Sequence, residues 1–169
     1  GPGAYYSDPE LRARLAGWQA HNGPVPEGGR HAPARMGPFL WTQHHVPPRL
    51  RIEDGDAAAC FACDGPFVKR QVRLEAERME GLGSVCNSQP HQITWTLSPG
   101  WKVAPYGGLR FMLTHVDGSK LMFECESGDP VDIQCLEVEV APHFLDVRKA
   151  CALRITFTRG LKTRLKPAA

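Results

Sequence analysis

The clearest alternation of apolar and polar positions runs from Gly107 to Cys125. Leu109, Phe111 and Leu113 recur every second residue before Asp117-Gly118. Leu121, Phe123 and Cys125 recur in the same way after it. Asp-Gly between two such runs is a strong hairpin signal, because a type I′ turn needs positive φ at both central residues. Each strand would carry one apolar face. The pattern predicts a hairpin at the centre of an antiparallel sheet.

Other segments repeat that period. Ile93-Thr94-Trp95-Thr96-Leu97 alternates and ends in the turn Ser98-Pro99-Gly100, and Trp101–Tyr106 reads as a short strand or a loop. In Val131–Val140, Leu136, Val138 and Val140 face one way while Glu137 and Glu139 face the other. This marks a sheet with one wet face. Leu50-Arg51-Ile52-Glu53 predicts a strand, Asp54-Gly55-Asp56 its turn, and Ala57–Cys63 its hairpin partner, stopped by Asp64-Gly65-Pro66.

Two segments fit both periods. Across 67–80, Val68, Val72 and Leu74 permit a strand. Leu74–Glu80, however, consists of helix formers, and Val68, Val72, Met79 and Leu82 fit one helical face. The helix is favoured, with Gly81 and Gly83 ending it. In 147–161, Cys151, Leu153, Ile155 and Phe157 make a strand pattern, while Val147, Ala150, Leu153, Phe157 and Leu161 make a helical stripe. Nearer the start, Ser7-Asp8-Pro9-Glu10 has the chemistry of a helix N-terminus, and Leu11, Leu15 and Trp18 follow at helical spacing.

The expected fold is mostly β, an antiparallel sheet or sandwich with an N-terminal helix and one or two further helices. Residues 1–8 read as a tag scar and flexible start, 9–21 as an amphipathic helix, 22–49 as an irregular Gly/Pro-rich connection, and 50–165 as the β-rich domain.

Composition narrows this picture. The apolar fraction is 42% and the charged fraction 22%, which excludes a disordered chain. No apolar run reaches membrane-spanning length. A net charge of +2 gives no general reason for a polyanionic partner. Six scattered cysteines and no visible secretory signal point to reduced thiols and an intracellular, cytoplasmic or nuclear, location.

Two constellations could carry chemistry. Cys60-Phe61-Ala62-Cys63 is a C-x-x-C, and Cys86 and His91 complete a set of four zinc ligands. One structural zinc is expected there, a closed site that would act as a staple; burial of the same cysteines in a strand is the alternative. His44-His45 is a weaker metal pair, since adjacent histidines diverge on an extended chain. The second constellation is basic. Residues 148–166 hold Arg148, Lys149, Arg154, Arg159, Lys162, Arg164 and Lys166 and no acid. Such a run would attract phosphate on nucleic acid or on a phosphorylated partner, or would simply be a solvated face. No nucleophile elbow and no phosphate-cradling glycine loop occurs.

The strand, short Asp-containing turn and Ser-Lys-Leu strand of Leu109–Phe123, followed by Pro142-His143-Phe144-Leu145, resemble a polo box. The resemblance spans 93–165. It implies a six-stranded antiparallel sheet crossed by a C-terminal helix that begins near Pro142, and a role in localisation or scaffolding. Lys120 matches the lysine of the phosphate-gripping His-x-Lys pair, while Gly118 stands where the histidine would be.

The expected function is therefore a non-catalytic protein-interaction module, with Lys120, Arg154, Arg159 and Lys162 meeting a protein or phosphorylated peptide. The alternatives are a zinc-stabilised nucleic-acid-binding domain and a small enzyme with a loop-built site.

Overall fold

The structure is a computed structural model and describes residues 8–17, 20–27, 49–54, 56–62, 67–86, 88–143 and 145–168. It is a two-sheet β-sandwich with one α-helix among those residues. The helix, α1 (Pro9–Ala16), begins as the sequence predicts: Asp8 caps it, accepting a hydrogen bond from the Leu11 amide at 2.8 Å, and Pro9 takes the first turn. It stops at Ala16, short of the expected 21. Among the described residues no helix is long and apolar enough to cross a membrane.

Twelve strands follow among the described residues: β1 (Val25–Pro26), β2 (Arg49–Glu53), β3 (Asp56–Ala62), β4 (Phe67–Glu75), β5 (Arg78–Val85), β6 (His91–Thr96), β7 (Trp101–Gly107), β8 (Arg110–His115), β9 (Lys120–Glu126), β10 (Asp132–His143), β11 (Asp146–Phe157) and β12 (Gly160–Pro167). The smaller sheet has the order β1-β6-β11-β10 and the larger β2-β3-β4-β5-β12-β9-β8-β7. The described strand pairs are antiparallel.

Alternation sets the core. Ile93 and Trp95 on β6 and Leu153, Ile155 and Phe157 on β11 face Val68, Val85, Phe111, Leu113, Phe123 and Leu161 on the larger sheet. Trp95 meets Phe123 across the layers edge-on, with ring centroids 5.6 Å apart.

Several expectations are corrected. Residues 67–80 are not a helix but most of the β4–β5 hairpin, turned at Ala76-Glu77. Gly81 and Gly83 end nothing; they lie within β5 and face the core. A Cβ on Gly81 would stand 2.7 Å from Thr163 Oγ1, and one on Gly83 would stand 3.5 Å from the Phe157 ring. The C-terminal run is also strand, so neither its helical stripe nor the helix expected after Pro142 forms; β-branched Ile155 and Thr156 suit the ladder with β6. The β8–β9 hairpin has the expected faces, Phe111 opposite Phe123 and Leu113 opposite Leu121. It lies at one end of the larger sheet, however, not at its centre. Its turn is also looser than type I′: His115 and Ser119 close three residues, with Gly118 at φ 91.

Candidate functional site: a groove on the smaller sheet

A depression with a volume of ≈ 820 Å³ lies where α1 crosses the smaller sheet. Thr94 and Thr96 on β6 alternate with the core residues Ile93 and Trp95 and so line the opposite face. Arg154 on β11 is the register partner of Thr94 on one side and of Gln134 on the other. The Arg14 guanidinium on α1 reaches Glu139 on β10 at 2.6 Å and ties the helix to the groove rim. Lys149 Nζ sits 2.7 Å from Glu137. The Asn22 side chain accepts a hydrogen bond from the Thr96 amide at 3.2 Å, fixing the chain beyond α1 over the strand end.

The cations of 148–166 do not act as one patch. Arg148 pairs with Asp146, Lys149 with Glu137, Arg159 with Asp129, Lys162 and Arg164 with Glu80, and Lys166 with Glu124. The cause is register. On the outer face of the larger sheet, Asp56, Arg73, Glu80, Arg164, Glu124 and Arg110 stand in one cross-strand row of alternating sign over β3, β4, β5, β12, β9 and β8. Asp56 holds Arg73 through two hydrogen bonds, at 2.8 and 2.9 Å, and both groups shift toward their charged forms for that reason. Of the seven cations in the basic run, six are paired, and Arg154 has no carboxylate partner among the described residues. It is half-buried in the groove.

The residues expected to meet a partner are therefore not brought together. Lys120 opens β9 on the larger sheet and is exposed. Arg159 sits in the β11–β12 turn at φ 60, held by Asp129. Lys162 belongs to the charged row's neighbourhood, 3.0 Å from Glu80. Arg154 alone of the four lies in the groove. Its companions Thr94 and Thr96 escaped the sequence reading. The available signal was threonine at alternate positions of a strand whose other face carries Ile93 and Trp95.

The zinc set is not gathered by what is described. Cys63 and the His44-His45 pair lie outside the described residues, and Cys60 is placed only as part of the β3 backbone. Cys86 is exposed after β5. His91 is fully buried at the start of β6, its Nδ1 2.8 Å from the Gln89 carbonyl oxygen and its ring tilted on Phe157. Among the described residues no three His, Cys, Asp or Glu side chains cluster as metal ligands.

No family model matches the chain, and no curated protein matches it. Solved structures do. The heparan sulfate lyase HepC from Pedobacter heparinus superposes with a TM-score of 0.70 at 12% identity, over 99% of this chain and 27% of the lyase. A heparinase III structure gives a TM-score of 0.72 at 12% identity, again over 99% of this chain and 27% of that one. What they share is the fold. This chain spans about a quarter of the length of those proteins.

Proposed function

We propose that this β-sandwich is a non-catalytic module that holds an acidic saccharide chain in the groove over its smaller sheet. The observation that carries the reading is Arg154: a half-buried guanidinium without a carboxylate partner among the described residues, flanked by Thr94, in a groove of ≈ 820 Å³. A planar, five-donor cation beside threonine hydroxyls suits a sugar carboxylate or sulfate with neighbouring hydroxyls. The likeness of fold to heparan sulfate lyases directs the choice of ligand. Glu137 and Glu139, the carboxylates on the rim, are each engaged by a cation, which suits a binding role better than proton transfer.

Calorimetric titration tests this. Heparan sulfate should bind saturably and neutral dextran should not. Arg154→Ala should weaken binding roughly tenfold or more, the effect of losing one charge-assisted hydrogen-bond donor. Lys166→Ala, on the other sheet, should leave it unchanged. Binding that survives Arg154→Ala, or a preference for phosphopeptides over the polysaccharide, would remove the proposal. Shortening of the polysaccharide on incubation would instead make the chain an enzyme.

A further inference from the structure

We infer that β2 is a homodimerisation edge, pairing antiparallel with β2 of a second copy of this chain. The inference is independent of the groove. Among the described residues β2 is an outer strand of the larger sheet, and all five of its residues are exposed, Leu50 at 63% and Ile52 at 70%. A free strand edge presents unpaired N–H and C=O groups, and proteins usually blunt it. The other edges are blunted: β7 carries Pro105, β1 is two residues long and ends in Pro26, and β10 carries Pro142 and is tied to α1. Among the described residues, β2 has neither a proline within it nor an element covering it.

Backbone geometry selects which groups are offered. β2 and β3 are joined by a two-residue turn, with Glu53 opposite Asp56. In such hairpins the flanking pair exchanges both backbone bonds, so Glu53, Arg51 and Arg49 direct theirs to β3. Leu50 and Ile52 direct theirs to the open edge.

The sequence of the strand, Arg49-Leu50-Arg51-Ile52-Glu53, complements itself. With the two-fold axis at Arg51, Leu50 faces Ile52 of the second copy and exchanges both backbone bonds with it, twice over. Arg49 faces Glu53 of the second copy, also twice. Arg51 stands on the axis, and its charge is already met by Glu53 of its own strand. On the inner face the four aliphatic side chains of Leu50 and Ile52 gather into one cluster, which gives these exposed groups a partner.

Sedimentation velocity of the purified chain over a wide concentration range reads this directly. The expected result is a reversible monomer–dimer equilibrium. Ile52→Pro removes an N–H that faces the open edge and none that faces β3, so it should give a monomer with an unchanged circular dichroism spectrum. Glu53→Arg should weaken the dimer about tenfold, since two cross-strand pairs turn repulsive. Adding Arg49→Glu to it should restore the native dissociation constant. A chain that stays monomeric throughout, a dimer indifferent to Ile52→Pro, or a double variant as weak as the single one overturns the inference.

Discussion

Arg70 is the residue most at odds with its surroundings. It points from β4 into the sandwich, is only 9% exposed, and its Nη1 has no hydrogen-bond partner among the described residues. Its guanidinium lies 4.7 Å from the centroid of the Trp95 ring, and the space it needs is left by Gly81. Burial pulls its pKa down to about 10. The sign is unfavourable for the fold: between that value and the ordinary arginine range the unfolded chain binds more protons, so stability rises with pH only in that alkaline window. At neutral pH the whole penalty is present. Cation–π attraction offsets part of it, since a desolvated pair is worth about 2 kcal/mol. Arg70→Met keeps the volume and removes the buried charge. It should raise the melting temperature, with a gain of roughly 1–3 kcal/mol in denaturant unfolding at neutral pH. A loss of stability would mean that the stack on Trp95 outweighs desolvation.

The elements owe their pairing to charge as well as to alternation. Glu80 on β5 receives Lys162 and Arg164 from β12 at 3.0 and 3.2 Å. The hydrogen bond from Lys162, with Arg164 adding to it, holds its carboxyl below the usual glutamate range. A lowered folded-state value means that the contribution is complete above the unfolded pKa and is lost as pH falls through the folded one. Asp56, Asp129 and Asp146, lowered by Arg73, Arg159 and Arg148, work in the same direction. Glu80→Gln should therefore cost about 1 kcal/mol at neutral pH, and the difference from the native chain should shrink as the pH drops below about 4. Urea titrations at several pH values measure this.

The β5–β12 pairing also shows where sequence reading fails. β8 and β9 were legible because Phe111, Leu113 and Phe123 alternate around a turn dipeptide, so local chemistry and tertiary role agree. β4 and β5 were not. The helix formers Leu74–Glu80 occupy a hairpin turn and mostly solvent-facing positions, where propensity is worth tenths of a kcal/mol and cross-strand pairing decides. Gly81 and Gly83 look like terminators until their neighbours are known to be Thr163, Arg70 and Phe157. In the site, Arg154 was legible as a cation. Its lack of a carboxylate partner was not, because Glu137, Glu80 and Glu124, which engage Lys149, Lys162, Arg164 and Lys166, come from β10, β5 and β9, outside the basic run.

At the scale of the molecule, a basic run became a nearly neutral surface. Seven cations within 148–166 would bind any polyanion by area, with affinity falling steeply as salt rises, since each neutralised anionic group releases about one counterion. Folding distributes them over two sheets and a turn. Arg148, Lys149, Arg159, Lys162, Arg164 and Lys166 already face carboxylates, so a ligand meeting them must displace a partner. Arg154 has none to displace among the described residues. Polyanion binding should therefore behave as a single ionic contact. A plot of log affinity for heparan sulfate against log salt should have a slope of magnitude about one, far from the six or seven that the sequence run would give. Duplex DNA, which lacks the sugar carboxylate, should bind weakly even at low salt. Arg154→Ala should take the heparan sulfate slope toward zero. A steep slope shared by DNA and heparan sulfate, and kept in that variant, would mean that the ion pairs open in solution and that the basic face binds as the sequence alone suggests.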